Sequence, residues 1–250
     1  VQNDRLCLYL TSIRCIFGEI FKKIFMGGIK SSIARKVAMA LSGLFLVLFL
    51  AQHFTINFTS VVSPDTFNEI SQFMGTNFLV QAVLQPILIF GVIFHFVMGF
   101  ILEIKNNSAR SIGYAKFNGG ANSPWVSRNM LLSGIVILAF LGLHFYDFWV
   151  HEMQVKYLQG DMSGLNEAGE FRYYEETVAK FAGQPIRVGI YVLSFIFLML
   201  HLLHGFASSF QTMGVNNKYS KAIGVFTKAF AIVIPLGFIF IAIFHYLNNL

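Results

Sequence analysis

The chain has 250 residues, 56% of them hydrophobic, 16% aromatic and only 12% charged, with a mean hydropathy of +0.64. That balance is too apolar for a water-soluble domain of this size and places the chain in a membrane. The formal net charge of +6 follows from where the basic residues fall relative to the apolar segments, so no nucleic-acid surface is called for.

Residues 1–30 form a basic N-terminal segment. Its amphipathic part, 6–25, suits either an interfacial helix on the inner membrane surface or an over-extended start ahead of Met26, where MGGIKSSIARK leads into the first apolar stretch. It lacks the small-residue cleavage site of a secretory signal. Cys7 and Cys15 are the only cysteines, with no Cys-x-x-Cys-His for covalent haem, no thiolate set for an iron-sulfur cluster and no disulfide framework. Residues 31–250 form one membrane domain with five long apolar segments, 37–59, 78–102, 129–150, 186–210 and 224–246. Each has the roughly 20 residues needed to cross a hydrocarbon core of about 30 Å. Pro86 and Pro235 fall inside helices, where neighbouring packing can accommodate them. The expected fold is an all-α membrane protein, a bundle of five transmembrane helices.

Charge sets the expected orientation. Arg5, Arg14, Lys22, Lys23, Lys30, Arg35 and Lys36 precede the first helix, Lys105, Arg110, Lys116 and Arg128 follow the second, and Lys218 and Lys221 follow the fourth. The alternate connections are acidic: Asp65 and Glu69 after the first helix, and Glu152, Asp161, Glu167, Glu170, Glu175 and Glu176 outweighing Lys156, Arg172 and Lys180 after the third. Basic residues therefore alternate sides, which predicts the N-terminus inside and the C-terminus outside.

Against this background four of the seven histidines are the strongest functional signal. His53, His95 and His144 each lie deep in one of the first three apolar segments, and the fourth segment holds both His201 and His204. A neutral imidazole in hydrocarbon finds few partners other than a metal or a proton relay. At 1.5 Å per residue, His53 lies roughly 24 Å into an outward-running helix and His95 roughly 25 Å into an inward-running one. His144 repeats the placement of His53, and His204 or its neighbour that of His95. The four thus sort into an outer pair, His53 with His144, and an inner pair, His95 with His204 or His201. Two opposed imidazoles at one depth are what a six-coordinate haem b requires, and with both axial positions filled such a haem carries electrons. His201 and His204 share a helical face, so only one can readily serve as an axial ligand.

Several residues admit plainer readings. Gly91 and Gly99 flank His95 on its own helical face and Gly205 follows His204, which suits either clearance for a macrocycle or plain helix packing. His151 and His245 sit at helix ends, where an amphipathic ring is comfortable, and receive no role. Asp147, near the end of the third segment, must be solvated or paired; its depth favours an interfacial position beside Trp149.

Taken together these segments resemble a known family, the haem b-containing membrane anchor of succinate dehydrogenases and fumarate reductases in its single-chain, five-helix, two-haem form. RKVAMALSGLFLVLFLAQHF (35–54) is similar to that family's first helix, SRNMLLSGIVILAFLGLHFYDFW (127–149) to its third, and HLLHGFASSF (201–210) to its fourth-helix ligand region, where a glycine follows the ligand histidine. The resemblance runs from about residue 31 to the C-terminus, and on its last point His204 is taken over His201. It implies two haems b, a proximal one held by His95 and His204 and a distal one held by His53 and His144. It further implies a partner iron-sulfur subunit carrying a flavoprotein subunit where succinate and fumarate interconvert. Menaquinone would be the exchangeable electron acceptor, and the location a bacterial inner membrane crossed several times. The chain would perform no dicarboxylate chemistry itself. Arg110, Lys116 and Arg128 are candidate contacts for the iron-sulfur subunit or haem propionates, although positive-inside bias alone predicts basic residues there. Glu69 is the acid best placed by sequence to serve the quinone, its plain alternative being a solvated loop carboxylate. Some fumarate reductases of this family carry an acid two positions before the fourth-helix ligand; here that position is Leu202, which tilts the direction toward succinate oxidation.

Two other readings remain open. The cytochrome b subunit of a hydrogenase, formate dehydrogenase or nitrate reductase would also carry membrane histidines, but one ligand on each of the first four helices favours the succinate dehydrogenase type. A transporter relaying protons through histidines would show internal repeats and helices broken at mid-membrane. Neither is visible in the chain.

Overall fold

A computed structural model describes residues 31–108, 129–215 and 217–248. The expectations for residues 1–30, including Cys7 and Cys15, and for Arg110, Lys116 and Arg128 lie outside the described residues.

Among those residues the chain is helical, with no strand beyond an isolated bridge between Leu165 and Phe171. Helix α1, Ser32–Val62, begins at Ser31, whose hydroxyl accepts from the Ala34 amide. It ends where Ser63 caps α2, Pro64–Thr76, with proline in the first turn and Asp65 beside the positive end of the helix. Helix α3, Gln85–Ser108, is entered through a π-helical turn, Val80–Leu84. That turn directly precedes Pro86, whose ring would collide with the carbonyl four residues earlier in a regular α-turn. Helix α4, Met130–His144, runs on through π-helical turns at Phe145–Val150 and Gln154–Leu158. After a short loop come α5, Tyr173–Phe181, then α6, Pro185–Thr212, and α7, Ser220–Leu247.

Five helical stretches are long and apolar enough to cross a membrane: Ser32–Val62, Val80–Asn106, Met130–Leu158, Pro185–Thr212 and Ser220–Leu247. Each contains most of one expected segment and extends it at one or both ends. Large apolar side chains such as Leu48, Phe90, Leu193 and Phe240 point away from the bundle. In water this surface would be strongly unfavourable, whereas lipid is an equivalent apolar partner.

Helices α6 and α7 pack most extensively, and α1 contacts α3, α6 and α7. The core lies toward one end, where Phe181 of α5 joins Tyr191 and Phe195 of α6 and Phe238 and Ile241 of α7. The same end is covered by α2, α5 and the loop between α4 and α5, which make it the capped end of the bundle. The two connections there, read from sequence only as acidic loops, both contain helix. Within them Lys156 and Arg172 are buried, 4% and 7% exposed, and both pair with Glu152, at 2.8 and 2.7 Å. Arg172 also meets Glu176 at 2.6 Å. Buried charge persists only in such pairings, so these residues bind the cap together.

Two assignments change. Asp147 is not at a solvated interface. It is 1% exposed, accepts a hydrogen bond from the Tyr191 hydroxyl at 2.8 Å and lies 3.4 Å from Arg187. Because Asp147 and its partners lie on different helices, pairing rather than solvation satisfies the carboxylate. His245 is likewise fully buried rather than interfacial, with Nε2 2.9 Å from Ser60 Oγ, and ties α7 to α1.

Candidate functional site

Two histidine pairs form inside the bundle. His53 of α1 and His144 of α4 face one another near the capped end, ring centroids 5.7 Å apart and planes nearly perpendicular. Phe49 stacks on His53 and Phe140 on His144, each one helical turn earlier, so both rings are held by aromatic faces. Helix α3 supplies His95 to the second pair. The ring opposite it is His201, at 6.4 Å, and not the expected partner His204. His204 is half-buried one turn along α6.

The second pair is set in hydroxyls. Ser42 Oγ lies 3.0 Å from His95 Nδ1 and donates its proton to the Met39 carbonyl at 2.8 Å. Ser133 Oγ lies 3.1 Å from His201 Nδ1 and donates to the Met130 carbonyl at 2.9 Å. The next residue in each helix is a glycine brought against the same ring: a Cβ on Gly43 would lie 3.4 Å from His95 Cε1, and one on Gly134 3.9 Å from His201 Cε1. Ser42 and His53 are eleven residues apart, as are Ser133 and His144. Eleven residues is about three turns and about 16 Å, so the two pairs stack along the bundle on the inner faces of α1 and α4.

This symmetry is written in the sequence. Met39, Leu41, Ser42, Gly43, Phe49 and His53 recur at the same spacing as Met130, Leu132, Ser133, Gly134, Phe140 and His144. The partner helices repeat too, with Gly99 four residues after His95 and Gly205 four after His201. A Cβ on Gly99 would lie 3.5 Å from Met39 Cε, and one on Gly205 3.0 Å from Met130 Cε. An internal repeat is therefore present, contrary to expectation. Within it the counterpart of His95 is His201, and His204 takes the place of Met98. Gly99 and Gly205 seat methionines, and Gly91 seats Phe45, whose Cε1 would be 2.7 Å from an added Cβ. These three glycines are helix-packing positions.

The residues fit haem. Two opposed metal–imidazole bonds of about 2 Å, with about 1 Å more from nitrogen to ring centre on each side, place ring centroids about 6 Å apart. The observed separations bracket that value. His144 Nδ1, buried, has no hydrogen-bond partner among the described residues. No three His, Cys, Asp or Glu side chains converge among the described residues. Each site thus offers two nitrogens, too few for a bare ion but the axial set of a porphyrin iron.

A cavity of about 360 Å³ opens beside His53 and His144 and reaches the capped end, with Asn57, Gln81, Glu152, Lys156 and Tyr173 on its wall. Tyr173 donates to Gln72 at 2.7 Å. Burial, with the negative charge of Glu152 nearby, pushes its hydroxyl up to about 12. Glu69 does not belong to this wall. Phe67, Ser71, Met74 and Gly75 of α2 line the cavity at helical spacing, while Glu69 is exposed on another face. Lys156 and Tyr173 were missed because their polarity read as ordinary loop composition.

Among the described residues the chain is therefore helical, with five potential membrane-crossing helices and two stacked histidine pairs between them. No family profile, curated protein or solved structure matches it.

Proposed function

We propose that the chain is the membrane-anchor cytochrome b subunit of a succinate:quinone oxidoreductase, embedded in a bacterial inner membrane with its N-terminus inside. His53 and His144 hold a distal haem b, and His95 and His201 a proximal one. His201 replaces His204 because it is His201 that faces His95. When bound, the two haems supply one-electron transfer between an iron-sulfur subunit, itself joined to a flavoprotein subunit, and menaquinone. The observation that carries this reading is the pair of opposed histidines at each of two levels, one from each of four helices, with centroids at the spacing of an axial ligand set.

The chain's own contribution is to orient and enclose. The stacked Phe49 and Phe140 hold the distal rings against rotation. The cavity beside them is where a quinone head group is received; the Asn57 and Gln81 amides on its wall each donate one N–H to a carbonyl, of His53 and Met74, and keep a second, with the Lys156–Glu152 pair beyond. In this arrangement Lys156 and Tyr173 take the role expected of Glu69.

A reduced-minus-oxidised optical spectrum with a haem count on purified protein tests the reading. Two low-spin haems b per chain are expected. A chain purified from haem-replete cells with none would end the proposal.

A further inference from the structure

The two serines that touch the proximal pair also determine which nitrogen of each ring carries the proton. A serine hydroxyl has one proton and two lone pairs. Ser42 directs its proton to the Met39 carbonyl and Ser133 to the Met130 carbonyl. What each oxygen presents to the facing imidazole is therefore a lone pair. A bare Nδ1 would either face a lone pair, at 3.0 Å in one case and 3.1 Å in the other, or draw the hydroxyl proton away from the carbonyl that it now satisfies. With the proton on Nδ1 every partner is satisfied, and Nε2 is left bare on the far side of the ring. The glycines beside the serines lie against the same rings, where an added Cβ would be in ordinary contact with His95 at 3.4 Å and with His201 at 3.9 Å.

The distal pair is built differently. Asn57 brings its amide nitrogen to 3.4 Å from His53 Nδ1 and 3.5 Å from Nε2, a donor rather than an acceptor, and His144 Nδ1 has no partner among the described residues. A matched oxygen acceptor at Nδ1 thus distinguishes His95 and His201 from His53 and His144. The recurrence of Met-x-Leu-Ser-Gly on α1 and α4 makes two independent instances of one device.

We infer that Ser42 and Ser133 are positioning residues which fix His95 and His201 as Nδ1–H tautomers, directing Nε2 to the proximal haem iron and making both rings stronger electron donors. The inference rests on the haem reading above. An imidazole that donates from Nδ1 is more basic at Nε2, favours the oxidised metal and lowers the midpoint potential. Removing the acceptor must then raise the midpoint of one haem and leave the other in place.

The experiment is a spectroscopic redox titration of the assembled complex carrying Ser42→Ala, Ser133→Ala or Ser42→Thr. Both alanine variants are expected to shift the same midpoint upward, that of the haem lost in His95→Ala, while the threonine variant, which keeps the hydroxyl, restores it. Should one alanine variant fail to assemble, the other reports on the same haem through the opposite ligand. Two haems with both midpoints unmoved would overturn this inference and leave the haem reading standing. Equal shifts of both midpoints would also overturn it, because the effect would then be general. A wild-type complex without haem in this chain would overturn both.

Discussion

His201 and His204 stand three residues apart, and their order of importance is decided by what lies across the bundle. His201 is framed by Ser133, Gly134 and His95, each from another helix. Accordingly His95→Ala and His201→Ala should each remove the same haem from the difference spectrum, and His204→Ala should retain both. Loss of a haem in His204→Ala with retention in His201→Ala would reverse the assignment. Asp147 makes the same point for stability. Tyr191→Phe withdraws the hydroxyl from a carboxylate that is 1% exposed, leaving Arg187 at 3.4 Å as its partner. A loss of about 1–3 kcal/mol is expected, read as a lower unfolding midpoint in detergent. The choice of His201 is legible in the chain only through the internal repeat that matches it to His95, and the pairing of Asp147 is not legible there. The glycine after His204 is a local cue, whereas the partners of His201 and Asp147 lie dozens of residues away.

Between single residues and the bundle, the cap decides what covers the cavity. Its helices are short and its charges numerous, so its sequence reads as polar connection; yet Arg172, 8% exposed at its side chain, grips Glu152 and Glu176 together. Burial opposes the guanidinium charge, but the hydrogen bonds it donates to Glu176 and Glu152, with their negative charge, outweigh it and the net shift is upward. Replacing Arg172 by leucine leaves two partly buried carboxylates competing for fewer partners and should destabilise the cap by about 3 kcal/mol. Faster proteolysis in the 151–184 region, with the rest of the bundle protected, is the expected readout. Tyr173 makes the cap sensitive to alkali. Its folded-state value is raised from 10 to about 12, so the neutral form is favoured by folding. The stabilisation is complete below pH 10 and is lost as pH rises toward 12. Tyr173→Phe should remove that alkaline component from the stability profile. An unchanged profile would show that Tyr173 is not its source.

For the whole molecule, the loop charges predict a direction of insertion that the helices alone do not. With Cys7 and Cys15 replaced, Asp65→Cys in α2 should be labelled by an impermeant reagent added to intact cells, and Lys218→Cys, ahead of α7, only after the cells are opened. The reverse pattern would invert the proposed orientation. Five crossings were legible because about 20 apolar residues per segment is a property of composition and length, and lipid imposes it segment by segment. The histidine pairing was legible in part, because alternation of direction and a rise of 1.5 Å per residue convert sequence position into depth. What depth cannot supply is rotation about the helix axis and the identity of the facing side chain. Those choices separate His201 from His204, turn Glu69 away from the cavity and bury Asp147. They were made by the packing of α1, α3, α4 and α6 against one another, since in a bundle a residue's neighbours are set by contacts distant in sequence, which no local pattern contains.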